Sequence, residues 1–206
     1  MRRRVFDTLT SFGGIVLVVV LLVAGGLLMW GYSFTHSNVH KQLSQQQIFF
    51  PPKAAFAQAR PGTEITPGMI PYLEEYAGQQ LLTGQQAQAY ADHFIAAHLA
   101  EMPYHGVYSK ISAAALAKPN DASLKTLEQT SFQGTTLRGL LLEAYGFATV
   151  GVIMFWGAIA SFGVALIMLL LVGLGSRHAR RTPAEEEIFS RAADPRLDRV
   201  SVGAAL

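Results

Sequence analysis

His36 and His40 are the first residues in the chain whose type and spacing suggest chemistry. Because residues four apart in a helix lie on one face, both imidazoles can reach the same metal ion. A zinc site needs three or four protein ligands, and no third ligand lies near them in the sequence. We therefore favour their interpretation as polar residues at a membrane surface over metal ligands.

A second group of titratable residues lies farther along the chain: Asp92, His93, His98, Glu101 and His105. Such a group could form a metal or acid–base site if the fold brought its members together. His98 shares an apolar helical face, which favours a hydrogen-bonded packing residue, and we expect Glu101 to face solvent. We therefore expect no catalytic residue, no metal and no cofactor.

The sequence motifs of the large enzyme families are missing from the 206 residues. There is no phosphate-binding GxxxxGKS/T or GxGxxG loop, no HExxH zinc motif and no GxSxG nucleophile elbow. The chain has no cysteine, which excludes a thiol nucleophile and disulfide bonds. With 16 basic and 14 acidic residues, it lacks the basic character of a nucleic-acid-binding protein.

Two uncharged segments hold much of the hydrophobic half of the composition. No Asp, Glu, Lys or Arg occurs in residues 8–40 or 144–176, and each segment is 33 residues long. Since a helix rises about 1.5 Å per residue, about 20 residues cross a hydrocarbon core of about 30 Å. We predict an all-α membrane protein with transmembrane helices at residues 12–32 and 147–175 and a mainly helical extracytoplasmic domain between them.

The first apolar segment also has the features of a secretory signal peptide, because three arginines at residues 2–4 precede it. The apolar run is long, however, and Trp30 and Tyr32 follow it without a small-residue cleavage site. We favour an uncleaved membrane anchor.

Basic residues beside the spans predict the orientation of the chain. Arginines occur at residues 2–4 and again at Arg177, Arg180 and Arg181. Because basic flanks stay in the cytoplasm, we predict that residues 1–11 and 176–206 are cytoplasmic. Residues 33–146 then lie outside the plasma membrane.

Trp156 leaves two alternatives for the outer part of the second span. Tryptophan favours the membrane interface, and Trp30 closes the first span. If Trp156 marks the boundary, residues 145–154 form a helical extension above the bilayer, covered by Tyr32, Phe34 and Val39. In the other alternative a longer span tilts. We favour the extension.

Gly157, Ser161 and Ala165 recur every four residues in the second span and form a face of small side chains. Such a face permits close helix packing, either with the first span or with another membrane protein. Neither apolar core contains an ionisable residue, which argues against a transporter or channel.

The external segment reads as short helices separated by loops at its prolines and glycines. A short helix is predicted over residues 71–82. Thr83 and Gln86 form a capping box that opens a helix to about Glu101. We expect Asn120 to cap the long helix that enters the second span.

Several short stretches carry a resemblance to a known group of proteins. They are VHKQL at residues 39–43, IFFPP at 48–52, YAGQQ at 76–80, AYA at 89–91 and LRGLL at 137–141. Together they resemble a group of uncharacterised actinobacterial membrane proteins with two spans and an external helical region. The resemblance covers residues 10–175 and implies an actinobacterial plasma membrane and the same topology, but no activity.

The sequence therefore favours a non-catalytic accessory or scaffold subunit of a larger plasma-membrane complex. Its partners would be the lipid bilayer and another integral membrane protein or a second copy of the chain. The first alternative is an extracytoplasmic ligand-binding or sensing module. The second is a metal-dependent extracytoplasmic enzyme that uses the histidines.

Overall fold

The fold is built from helices, turns and loops. The computed structural model describes the backbone of residues 3–181 and the side chains of residues 9–178. Within this part of the chain there is no strand, and Phe49 and Gln80 form an isolated antiparallel bridge. The all-helical fold predicted from the sequence is confirmed. The predicted cytoplasmic tail after residue 181 lies outside the described residues.

Helix α1, Arg3–Gln46, contains the first predicted span within its 44 residues. It continues past Trp30 because the following residues include good helix formers such as Lys41, Gln42 and Leu43. The helix ends where Gln47 adopts a left-handed φ of 52°. Pro51 and Pro52 then prevent the helix from resuming.

Helix α7, Ala122–Arg181, contains the second predicted span within its 60 residues. Its N-cap is Asp121, whose carboxylate accepts hydrogen bonds from the backbone N–H groups of Ser123 at 3.0 Å and Leu124 at 3.2 Å. The prediction that Asn120 caps this helix is wrong, because the carboxylate one residue later reaches those donors. Both α1 and α7 are long and apolar enough to cross a membrane.

Short helices occupy the chain between α1 and α7. They are α2 Lys53–Ala57, a 3₁₀ turn Pro67–Met69, α3 Ile70–Leu73, a 3₁₀ turn Glu74–Tyr76, α4 Gly84–Ala89, a π-helix Tyr90–Ile95, α5 Ala96–Glu101, a 3₁₀ segment Pro103–Gly106 and α6 Tyr108–Ala117. The capping box of Thr83 and Gln86 is confirmed. The predicted helix over residues 71–82 is wrong in its second half, because Gly78 adopts a left-handed φ of 74° and turns the chain.

The described part of the chain forms two compact units, one of residues 3–27 with residues 157–181 and the other of Leu28–Trp156. In the first unit, α1 and α7 pack antiparallel, and the Ser161 hydroxyl donates a hydrogen bond to the Leu21 carbonyl at 2.7 Å. The second unit has a core of its own that draws on α1, on the segments from Phe50 to the π-helix and on α7. Its buried members are Val39, Leu43, Phe50, Phe56, Ile65, Met69, Leu73, Leu81, Ala87, Ala91, Ile95 and Leu141.

Candidate functional site

The histidine pair of α1 lies on the exposed surface of the second unit. His36 and His40 are both exposed, and the His36 ring lies 5.8 Å from the ring of Tyr32. Among the described side chains, no group of three or more His, Cys, Asp or Glu residues could hold a metal ion. The pair therefore lacks the further ligands that a zinc site requires.

The second titratable group, predicted around Asp92 and His105, is divided among separate contacts. The His93 ring stacks on Tyr72 with centroids 3.6 Å apart, and Nδ1 of His98 lies 2.7 Å from the Phe94 carbonyl oxygen. Glu101 and His105 are exposed. These residues act as packing and surface residues, and they do not converge on one site.

Asp92 belongs to an ion pair that ties the π-helix to α7. Nη2 of Arg138 donates a hydrogen bond to Oδ1 of Asp92 at 2.7 Å. Both side chains keep about a third of their surface exposed, so solvent weakens the pair. The pair accounts for Asp92 as a structural residue.

Aromatic side chains link the loops of the second unit to α4 and α5. Phe50 contacts Tyr76 and Tyr90 at centroid distances of 5.1 and 5.4 Å, and Tyr90 contacts Phe94 at 4.6 Å. Burial raises the pKa of Tyr90, and the nearby charge of Glu64 adds to the shift. The phenol therefore stays protonated at neutral pH, as expected for a packing residue.

The three predicted helix-packing residues differ in their surroundings. Ser161 and Ala165 are buried in the first unit, whereas Gly157 is half-buried and its neighbour Ala158 is fully buried. The hydrogen bond of Ser161 to Leu21 shows that this side of α7 contacts the chain's own first apolar helix.

A cleft of about 230 Å³ lies in the second unit between α1, the start of α4 and α7. We call it the interface cleft. Its lining carries no Asp, Glu, Lys or Arg; it consists of Tyr32, Thr35, His36, Val39, Leu82, Thr83, Gly84, Gln85, Ala148, Gly151 and Val152. The Thr35 hydroxyl donates to the Gly31 carbonyl at 3.0 Å, and the Thr83 hydroxyl accepts from the Gln86 backbone N–H at 3.3 Å. Tyr32, His36 and Gln85 therefore offer the remaining polar side chains that could bind a ligand.

A groove of similar size, about 230 Å³, lies between α1 and α7 in the same unit. We call it the outer groove. It combines apolar walls with three amides and one carboxylate; its lining is Asn38, Val39, Gln42, Leu43, Gln46, Leu140, Glu143, Ala144 and Phe147. Leu140 and Phe147 are each more than half exposed.

A third feature is a set of exposed apolar side chains near the start of α6, which we call the tip patch. It comprises Tyr104, Val107, Tyr108 and Phe132, and the rings of Tyr108 and Phe132 lie 5.6 Å apart. Tyr104 and His105 adopt left-handed backbone conformations with φ of 58° and 56°. Such conformations are uncommon for these residue types and expose both side chains.

Sequence reasoning missed the outer groove, the interface cleft and the tip patch, because each is formed by residues far apart in the chain. A signal for the outer groove was present in α7. Leu140 and Phe147, which line the groove, are seven residues apart, and so are their neighbours Gly139 and Gly146. That spacing keeps them along one side of a helix.

Comparison of the chain with protein families, with curated proteins and with solved structures finds no match. The resemblance to actinobacterial two-span membrane proteins therefore stays a prediction.

Proposed function

We propose that the chain is an integral membrane protein that acts as a non-catalytic accessory or scaffold subunit of a larger plasma-membrane complex. α1 and α7 each cross the bilayer once, both termini are cytoplasmic, and residues 33–146 are extracytoplasmic. The proposal has two parts, the membrane topology and the docking role, which rest on different observations.

The exposure of the apolar helices supports a bilayer around them. In their most apolar 18-residue windows only 17% of α1 and 11% of α7 is buried, whereas the core helix of a water-soluble protein is mostly buried. Water would leave this apolar surface uncovered, and lipid tails would cover it. Trp30 and Trp156, 68% and 64% exposed, lie where tryptophans of a membrane interface are expected.

Packing within the first unit supports an uncleaved anchor over a signal peptide. A Cβ added at Gly25 would lie 2.7 Å from the ring of Phe162, so α1 and α7 are in close contact there. Removing the first span would leave Ser161, whose hydroxyl is bonded to Leu21, without its partner. A signal peptide, by contrast, leaves the mature protein.

The tip patch is the observation that carries the docking role. Phe132 lies 24 residues before Trp156 in α7, which places it about 36 Å from the membrane interface along the helix. Lipid cannot cover the tip patch at that height. Clustered apolar side chains exposed to water are typical of protein interaction sites.

Crosslinking at native expression level tests the docking role. A photo-crosslinking amino acid at Val107 is expected to capture a defined membrane protein. Phe132→Gln should abolish capture, because it removes an apolar side chain from the tip patch. Phe49→Gln is the matched control, since Phe49 is 56% exposed but lies outside the patch. Recovery of uncrosslinked chain alone, or equal capture by both variants, would contradict the role.

The interface cleft favours a second candidate function, the extracytoplasmic ligand-binding or sensing module. Tyr32 is two residues past Trp30 and Val152 four residues before Trp156, so the cleft opens at the depth of lipid headgroups. A lining without Asp, Glu, Lys or Arg suits an uncharged polar ligand. Stronger retention on neutral glycolipid vesicles than on phosphatidylcholine vesicles, reduced by Gln85→Leu, would favour this function. Equal retention of both proteins on both kinds of vesicle would count against it.

A further inference from the structure

Two exposed charges occur at or beside the outer groove, since Glu143 lines it and Lys41 directly precedes the lining residue Gln42. Glu143 of α7 and Lys41 of α1 are both exposed, and neither forms an ion pair with another described side chain. The nearest basic residue to Glu143 in α7 is Arg138, whose guanidinium is bonded to Asp92. The outer groove therefore has an unmatched acidic flank and an unmatched basic flank.

The two charges lie at nearly the same height above the membrane interface. Gly31 of α1 lies beside Met154 of α7, and the rings of Tyr32 and Phe155 are 5.1 Å apart. Counted from the Gly31–Met154 level, Lys41 is ten residues or about 15 Å along α1, and Glu143 is eleven residues or about 17 Å along α7. Two copies inserted in the same orientation keep this match of heights.

Apolar side chains accompany both charges. Phe34 lies seven residues before Lys41 on the same side of α1 and is 58% exposed. On α7, Glu143 lies between Leu140 and Phe147, which are 53% and 52% exposed. A helix seated in the outer groove would cover these side chains and remove them from water.

Glycines make room for such a helix along α7. Gly139 and Gly146 are exposed, and a Cβ added at either would meet no atom within 4 Å. Small residues allow helix backbones to approach closely, so the adjoining large side chains can interdigitate with a partner. Gly139 and Gly146 directly precede Leu140 and Phe147, which line the outer groove.

We propose that the outer groove is the interface of a two-fold symmetric dimer, in which α1 of a second copy packs on α7 of the first and vice versa. The resulting four-helix bundle places Lys41 of each copy beside Glu143 of the other, at the flanking positions where such bundles carry ion pairs. The proposal rests on the proposed membrane topology, because shared orientation brings the charges to one level. It uses a surface separate from the tip patch.

A charge-exchange experiment on the full chain tests this dimer in vesicles of phosphatidylethanolamine and phosphatidylglycerol. Energy transfer between donor- and acceptor-labelled copies reports association. Lys41→Glu and Glu143→Lys should each weaken association about tenfold, since each replaces two attractions with two repulsions. The double exchange should restore it. Lys53→Glu and Glu101→Lys, both exposed and remote in sequence from the groove, are controls expected to have no effect.

Disulfide trapping then tests the arrangement of the helices. The chain lacks cysteine, so a copy with Gln45→Cys and a copy with Leu140→Cys should form a mixed disulfide when expressed together. A monomeric wild type, or a double exchange no better than the single reversals, would overturn the proposal. So would charge-dependent association of Glu143 with a different membrane protein. Labelling that placed the termini outside would reject the proposed topology. The dimer would still be judged by the charge-exchange result alone.

Discussion

Three consecutive left-handed residues set the turn that presents the tip patch. Tyr104, His105 and Gly106 have φ values of 58°, 56° and 64°. The turn is held because the buried hydroxyl of Ser131 donates a hydrogen bond to the Gly106 carbonyl at 2.8 Å. A Cβ at residue 106 would clash with the Leu99 carbonyl oxygen. Glycine is therefore required at this position for its backbone conformation and for space.

Gly106→Ala is expected to destabilise the external domain by about 2–4 kcal/mol, through left-handed strain together with overpacking against Leu99. Gly62→Ala is the matched control. Gly62 also has a positive φ, 82°, but has no atom within 4 Å of an added Cβ, so the cost should be about 1 kcal/mol. Thermal unfolding in detergent measures both. Equal losses would show that the clash with Leu99 does not matter.

Residue-level predictions from the sequence succeeded where the interaction is local. Thr83 and Gln86 are three residues apart, so their capping box follows from helix geometry. The stacking of His93 on Tyr72 and the pairing of Asp92 with Arg138 did not follow, because those partners are 21 and 46 residues apart. The outer groove could not be predicted for the same reason, because it depends on the register between α1 and α7.

At the scale of the element, adjacent glycines in α1 have opposite surroundings. A Cβ at Gly25 would press on the Phe162 ring, and one at Gly14 would press on Val172. A Cβ at Gly26 or Gly13 would meet no atom within 4 Å. The glycines that face α7 therefore allow close packing of the two helices, and their neighbours face outward.

Gly25→Leu is expected to destabilise the packing of α1 on α7 by about 1–3 kcal/mol, because the larger side chain overpacks against Phe162. Gly26→Leu should be neutral or slightly stabilising, since leucine has a higher helix propensity than glycine. Protease resistance in detergent compares the two proteins. Greater sensitivity of the Gly26 variant would mean that α1 presents a different face to α7.

The cap of α7 should depend on pH. The Ser123 hydroxyl, with support from the Leu124 and Ser123 backbone N–H groups, lowers the pKa of Asp121. A lowered pKa in the folded state means that the carboxylate stabilises the helix start above the unfolded pKa. That contribution is lost as pH falls through the lower, folded pKa.

Amide exchange at Ser123 and Leu124 measures this dependence. In the wild type, protection should decline as the pH is lowered through the acidic range. Asp121→Asn keeps an N-cap acceptor but has no charge to lose, so its protection should not change with pH from this cause. A wild-type profile identical to that of the Asn variant would exclude the carboxylate as the source.

At the scale of the whole molecule, the distribution of charged and apolar residues predicted the two long helices, whereas sequence motifs predicted little of the fold. The two uncharged segments lie within α1 and α7, which are long and apolar enough to cross a membrane. The sequence also indicated the ends of both helices closely: Pro51 and Pro52 forbid a helix soon after Gln46, where α1 ends, and the expected cap Asn120 is one residue before the actual cap Asp121. What the sequence did not show is that Val39, Leu43 and Leu141 of these extensions join the core of the second unit, because that depends on tertiary contacts.

Cysteine labelling in intact cells tests the proposed topology. In this cysteine-free chain, Gln85→Cys should react with a membrane-impermeant maleimide in intact cells. Ser176→Cys should react only after the membrane is permeabilised, because basic flanks remain in the cytoplasm. The reverse pattern would show that the termini lie outside.

The depth of Trp156 follows from the same chemistry applied along α7. Phe147 lies nine residues before Trp156, about 13 Å along the helix. If Trp156 marks the interface, Phe147→Cys reacts about as fast as Gln85→Cys, and Leu166→Cys, ten residues on the other side, reacts poorly because lipid excludes water. If a longer tilted span buries residue 147 in the bilayer, Phe147→Cys reacts as poorly as Leu166→Cys.

We expect the first result, because Gly151 packs on Thr35 and Phe155 on Tyr32, so α1 covers one side of this segment of α7. Slow labelling at residue 147 would also place Glu143 close to the lipid headgroups. That position would weaken the argument that Glu143 pairs with Lys41 of a second copy.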